Sequence, residues 1–290
     1  MTIFRSWMFI PGNQHRRVRK IKELDADVYI FDLEDSVPYT EKDRARQIVA
    51  NSILEYSHLQ NFVRVNDINT NYFVKDIQSV FVKGLKGIVL PIVNGPEDIL
   101  RVETILDELE DIHGIKKGSI RIVPLIESAL GIYYSVEIAK SSTRINHLAF
   151  GAIDYTLDIN ATITASGMEL LYARSQLVIA SRVAGIEAPI DTVFMDVNDN
   201  TSLKHESKFV KELGYQGKLS IHPNQISIIN EVFTPSEAEI MEAKEVISAF
   251  SKASNEGKAA IQLNGKMIDY PVVKRAQKIY AKAKLLGLTV

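Results

Sequence analysis

The chain has 290 residues, 46% hydrophobic and 24% charged, with a formal net charge of −2. This is ordinary globular composition, and it gives no electrostatic reason to expect nucleic acid or an anionic membrane surface as a partner. There is no cysteine, which excludes disulfides, thiolate nucleophiles and cysteine–zinc sites and suits a reducing compartment.

The N-terminal "MTIFRSWMFIPGN" shows no signal-peptide core, and no window nears the ~18 consecutive apolar residues of a spanning helix, so a cytoplasmic protein is expected. The first apolar run, "SWMFIPG" (6–12), is followed by the basic run "HRRVRK" (15–20). A solvated helix face accounts for most of those charges, with Arg16 kept as a candidate for binding substrate phosphates. Next comes "VYIFDLED" (28–35), a buried-strand pattern that ends in three carboxylates. Burying such charges unpaired is costly, so they belong to a wet strand end. Alternation puts Asp32 and Glu34 on one face, as candidates to hydrogen-bond the waters of a metal ion. Glu34 is also a catalytic candidate, and Asp35 with Ser36 is expected to cap the following turn.

"NFVRVND" (61–67) places Arg64 and Asn66 on the face opposite Val63 and Val65. At a strand end, Arg64 could bind a carboxylate in bidentate fashion. After "GIVLPIV" (87–93), Ile99, Val102, Ile105, Leu106 and Leu109 recur at helical spacing, with Gly114 as the stop. The remaining runs are "IRIVPLIES" (120–128), "HLAFGAID" (147–154), "DTVFMDV" (191–197) and "GKLSIHP" (217–223). Glu127 and Asp154 close neighbouring strands, and two facing carboxylates with room for water and substrate oxygens suit Mg²⁺. Capping of the following helices is the competing reading for each. Asp196 and His222 complete the polar strand ends, His222 with a structural role the better reading.

Eight strands alternating with helices, without a Gly-rich phosphate turn after the first, predict an α/β fold of the (β/α)8 TIM-barrel type over 1–233. Beyond it, "TPSE" reads as a capping box with Thr234 as N-cap, Pro235 first in the helix and Glu237 closing the box. Asn264-Gly265 marks a hairpin and "VVKRAQKIYAKAKLLG" a last helix. Residues 234–290 thus form a helix–hairpin–helix arm.

In order, "SWMFIPGN", "DLEDSV", "FVRVN", "PLIES", "LAFGAID", "GKLSIHPNQI" and "GKMIDYP" resemble the citrate lyase β-subunit family, which lies close to the malyl-CoA and citramalyl-CoA lyases. The resemblance covers nearly the whole chain. It implies a barrel that uses Mg²⁺ to make or break a carbon–carbon bond beside a thioester, with Glu127 and Asp154 as metal ligands and Glu127 and Arg64 on the substrate. It also implies that Asp269, in "MID", reaches a neighbouring subunit's site as a catalytic group, which requires an oligomer, commonly a trimer. One departure is "IESALG" where many relatives read "IETARG", so Leu130 stands for an arginine. The expected reaction is cleavage of a citramalyl-, malyl- or citryl-CoA to acetyl-CoA and a 2-keto acid. A citrate lyase subunit acting on an acyl-carrier thioester, or a non-catalytic thioester-binding protein, are the alternatives.

Overall fold

The computed structural model describes residues 3–288. Eight parallel strands pair in chain order: β1 (Ser6–Pro11), β2 (Val28–Asp32), β3 (Asn61–Arg64), β4 (Leu85–Leu90), β5 (Arg121–Ile126), β6 (Ala149–Phe150), β7 (Ile190–Asp191) and β8 (Gly217–Ser220). β8 returns to β1 and closes the barrel. The outer layer holds α1 (His15–Arg19), α2 (Lys42–Glu55), α3 (Phe73–Val80), α4 (Pro96–Ile112), α5 (Ala129–Tyr133), α6 (Ser135–Lys140), α7 (Ala152–Asp158), α8 (Leu171–Ala184) and α9 (Asn200–Leu213). α10 (Pro223–Phe233) follows the last strand.

Strand alternation sorts the core into two shells. Trp7, Ile30, Phe62, Val89, Leu125 and Leu219 meet inside the barrel, whereas Met8, Phe31, Val63 and Ile122 face the helices. Phe62 fits inside because its neighbour is Gly87: a Cβ there would lie 2.3 Å from the Phe62 ring. The helix over 96–112 forms as its spacing predicts, with Gly114 beyond its end at φ +64°. At its start, Asp98 accepts from the backbone N–H groups of Asn94 and Gly95.

The ladders are uneven. β1 and β2 share five registered pairs, but β6 and β7 share one, Ala149 with Ile190. The runs expected as strands over 147–154 and 191–197 give the sheet two residues, Ala149 and Phe150, and one, Asp191, before leaving it, the first into α7 and the second into a turn. Side chains reinforce this thin part of the wall. The buried Asp191 carboxylate takes Arg174 Nε at 2.9 Å and Lys218 Nζ at 2.6 Å, and Lys218 also donates to Glu206.

His147, just before β6, is buried with its ring against Phe4 and Trp7 and Nε2 2.7 Å from Gln216. Burial pushes its pKa down to about 4 from 6.5. The unfolded chain therefore binds more protons between those values. This contribution to stability is complete above pH 6.5 and falls as pH drops through 4, by about 3 kcal/mol for such a shift. His147→Gln should flatten this part of the pH profile. Equal losses for both proteins, in urea unfolding at about pH 4.5 and about pH 7, would exonerate His147.

A second compact unit runs from Glu231 toward the C-terminus. It contains α11 (Glu237–Asn255), β9 (Ile261–Leu263), β10 (Lys266–Ile268) and α12 (Tyr270–Leu285), packed through Val246, Phe250, Ile268 and Val273. Asn264 and Gly265 both take positive φ, 48° and 78°, as a two-residue type I′ hairpin turn requires. The capping box lies two residues later than "TPSE" suggests. Ser236 Oγ accepts from the Glu239 N–H, and Glu239 accepts from the Ser236 N–H at 2.7 Å. The segment holds two overlapping Ser/Thr-x-x-Glu registers, and the second is used. Among the described residues, no helix is long and apolar enough to cross a membrane.

Candidate active site

The carboxylates that end β2 are arranged around one arginine. Asp32 and Arg64 are registered partners at the ends of β2 and β3. Arg64 Nε meets Asp32 Oδ1 and Nη2 meets Oδ2, both at 2.8 Å. Asp32 also accepts from the N–H groups of Glu34 and Ser36. Asp32, and not Asp35, therefore caps this turn. With both oxygens engaged, Asp32 is committed to Arg64 and the backbone, where the sequence suggested metal-bound waters. Asp35 turns back instead, and Arg64 Nη1 lies 3.0 Å from Asp35 and 2.9 Å from Glu34. Lys42 of α2 fastens the turn from behind, donating to the carbonyls of Leu33 and Glu34 at 2.6 and 2.8 Å. Asn66 does not share the mouth with Arg64: it is buried against Asp76 of α3 and the Leu33 carbonyl.

Burial works to raise the Asp32 pKa, but the adjoining Arg64 guanidinium outweighs it and the net shift is downward. Glu34 goes the other way. Burial pushes it up to about 8, Arg64 offsets only part, and Asp35 and Glu127 add repulsion.

Glu127 follows β5, and its carboxylate is held at two points. Oε1 accepts the Ile92 N–H at 2.7 Å. Ile92 stands at φ +52°, a left-handed conformation rare for a β-branched residue. Oε2 fills the space a Cβ at position 151 would need, 2.3 Å away, so Gly151 makes room for the carboxylate. Burial raises the Glu127 pKa to about 8; the Ile92 N–H opposes this, and the Asp154 charge adds to it. Asp154 lies in the first turn of α7, where the sequence suggested a strand end. Burial and then Asp35 raise its pKa.

Arg64, Asp32, Asp35, Glu127 and Asp154 line one cavity of about 500 Å³, with Phe9, Leu125 and Leu219 as apolar wall. From the basic run it is Arg17 that lines this cavity, not Arg16: the helical turn of α1 decides which arginine faces inward. Asp196 instead accepts from the Asn198 N–H in an exposed turn. His222 Nδ1 accepts from the Asn224 N–H. Leu130 is exposed on α5. Asp269, in the second unit, caps α12 by accepting the Val272 N–H. Sequence reading missed Thr192, which lines the cavity, and the Ile92 N–H. Thr192 directly follows the short β7, a position a sequence could suggest; a backbone donor carries no residue signature.

Among the described residues, no group of three or more His, Cys, Asp or Glu side chains is placed to hold a metal ion. Neither Glu127 nor Asp154 forms an ion pair among those residues, while Arg64 already faces three other carboxylates. The cluster is short of positive charge, and its donors are all oxygen. Magnesium is held in this way, by one or two carboxylates with water and substrate oxygens completing the shell. Glu127 and Asp154 fit such an ion.

The chain is also similar to proteins already known. The chain is 38% identical to the citrate lyase subunit beta of Leuconostoc mesenteroides subsp. cremoris, over 95% of this chain and 91% of the relative. It is 30% identical to the mitochondrial citramalyl-CoA lyase of Rattus norvegicus, over 96% of this chain and 86% of the relative. Its fold matches the crystal structure of CitE from Mycobacterium tuberculosis in complex with magnesium, acetoacetate and coenzyme A, with a TM-score of 0.80 at 24% identity, covering 98% of this chain and 99% of that one. RipC from Yersinia pestis matches with a TM-score of 0.68 at 32% identity, covering 82% and 98%. The family described as HpcH/HpaI aldolase/citrate lyase matches residues 5–223, and with the barrel and its carboxylate-lined mouth this shows that the chain belongs to that family.

Proposed function

We propose that the protein is a Mg²⁺-dependent carbon–carbon lyase that cleaves a 3-hydroxy-3-carboxyacyl-CoA to acetyl-CoA and a 2-keto acid, or runs the reverse condensation. One observation carries the reading: in a chain of this family, Glu127 and Asp154 line the same cavity as Arg64 and lack a cation of their own. A divalent cation on the two carboxylates supplies a Lewis acid for the hydroxyl and carboxylate oxygens of the substrate.

The chain's own groups do the rest. Asp32 holds two nitrogens of Arg64 and leaves Nη1 toward Glu34 and Asp35. There Arg64 binds the substrate carboxylate in their place and stabilises charge growing on oxygen. Glu34, with its raised pKa, gives up this partner as a neutral acid at little electrostatic cost. The 3-hydroxyl loses its proton, the C2–C3 bond breaks and its electron pair passes to the thioester as an enolate. A proton delivered to C2 completes the acetyl thioester. Both transfers are assigned to Asp269 of a neighbouring copy in an oligomer, a trimer being favoured: its carboxylate takes the 3-hydroxyl proton and returns it to C2. Arg17 offers a positive charge at the rim for the phosphates of CoA. Cytoplasmic residence belongs to the same reading, supported by the absence of cysteine.

A second reading keeps the chemistry and changes the carrier. Identity is higher to the citrate lyase subunit beta than to the citramalyl-CoA lyase, which favours a subunit acting on an acyl-carrier thioester. The test is acetyl thioester release from citramalyl-CoA, malyl-CoA and citryl-CoA, and from citryl-acyl-carrier protein, with Mg²⁺ and with EDTA. Cleavage of a CoA ester that EDTA abolishes is expected. Cleavage of the carrier thioester alone selects the second reading, and release that EDTA leaves intact overturns the metal role.

A further inference from the structure

α7 starts at Ala152, directly after Gly151 as its N-cap residue. A glycine has no side-chain oxygen for the first N–H groups of a helix, which need acceptors where they are buried. Serine, threonine or aspartate cannot replace it, because Glu127 Oε2 occupies the space of a Cβ. The acceptor comes from another strand end. The Ala152 N–H donates to Thr192 Oγ1 at 3.0 Å, in a buried bond. Thr192 is itself buried and lines the cavity. The residue before it, Asp191, is fixed by the buried cations of Arg174 and Lys218. Asp154 lies two residues along α7 from the N–H that Thr192 holds.

We propose that Thr192 is a positioning residue for Asp154. Its hydroxyl is the cap that Gly151 cannot provide, and it sets the angle at which α7 carries the Asp154 carboxylate into the cavity. Asp191 with Arg174 and Lys218 is the rigid mount behind that hydroxyl. Valine has nearly the shape of threonine without the acceptor, so the Oγ1 is the whole of the distinction. The inference rests on the reading of Asp154 as a cation ligand.

The test is titration of the full-length protein with Mn²⁺, a paramagnetic stand-in for Mg²⁺, with free ion followed by electron paramagnetic resonance. Thr192→Val should weaken Mn²⁺ binding by about ten-fold or more, as loss of groups that orient metal ligands does. Thr192→Ser, which keeps the hydroxyl, should restore it. A merely structural role would lower the unfolding temperature of the valine variant and leave the folded protein's affinity alone. Wild-type affinity in Thr192→Val beside weak binding in Asp154→Asn overturns the positioning role and leaves the metal reading standing. Wild-type affinity in Asp154→Asn overturns the metal reading, and the proposal falls with it. If the valine variant does not fold, Thr192→Ala carries the same comparison.

Discussion

Glu127→Gln should abolish Mg²⁺-dependent thioester cleavage and, in the same protein, remove a pH-dependent weakness of the metal-free fold. Glutamine keeps the shape that fits beside Gly151 and an oxygen for the Ile92 N–H, so the fold should persist while the ligand charge is lost. The pH effect follows from the raised pKa of about 8, against 4.5 for a free glutamate. The folded state then binds the proton more tightly than the unfolded chain. Its stabilising contribution is complete below pH 4.5 and is lost as pH rises through 8, by up to about 5 kcal/mol. Glu34 shifts in the same direction, so the variant should keep part of the slope. Urea unfolding in EDTA at about pH 5 and about pH 8.5 reads the difference between the two proteins. Adding Mg²⁺ at the higher pH should restore the wild type and not the variant, because only a folded state that binds the ion gains from it. Parallel pH profiles would show that Glu127 is not held protonated. Retained turnover would remove it from the metal site.

Arg64→Ala should be the most destabilising single change at the mouth, at about 3–5 kcal/mol, the usual cost of leaving a buried charge without its partner. Asp32 is almost wholly buried and would keep only the N–H groups of Glu34 and Ser36. Glu34 and Asp35 would lose the same cation. Adding Asp32→Asn to Arg64→Ala should recover most of the lost stability and none of the activity. That separates the structural duty of the guanidinium from its duty to substrate. A loss below about 1 kcal/mol for Arg64→Ala would put the pair in the class of weak, solvent-screened bridges.

Much of this architecture is written in local patterns. Eight apolar runs separated by helix-length intervals specify the barrel, and Asn264-Gly265 specifies its turn. Glu127 and Arg64 were legible because a charged residue at the end of a buried strand needs a reason. Asp154 was found by type but misplaced by element, since a strand that leaves the sheet after two residues looks like a longer one in sequence. Arg17 and Arg16 are adjacent, and only the phase of a short helix separates them. The exchange of roles between Asp32 and Asp35 depends on the register of β2 against β3. The Arg174–Asp191–Lys218 network joins residues 17 and 27 positions apart, and no local signal links them.

The uneven barrel wall also bears on how this molecule moves. Five registered pairs join β1 to β2, whereas one joins β6 to β7. Backbone bonds resist local opening most where ladders are long. Arg64 and Asp32 therefore stand on the stiff side, at the joint of β2 and β3. Asp154 and Thr192 stand just past the two shortest strands, where few amides must part for the chain to breathe. The proposed substrate anchor and one of the two proposed cation ligands thus stand beside ladders of very different length. On the side of the short ladder the buried ion pairs of Asp191 with Arg174 and Lys218 supply the fixity that the backbone lacks, so the hold on this part of the mouth depends on side chains rather than on amide pairs.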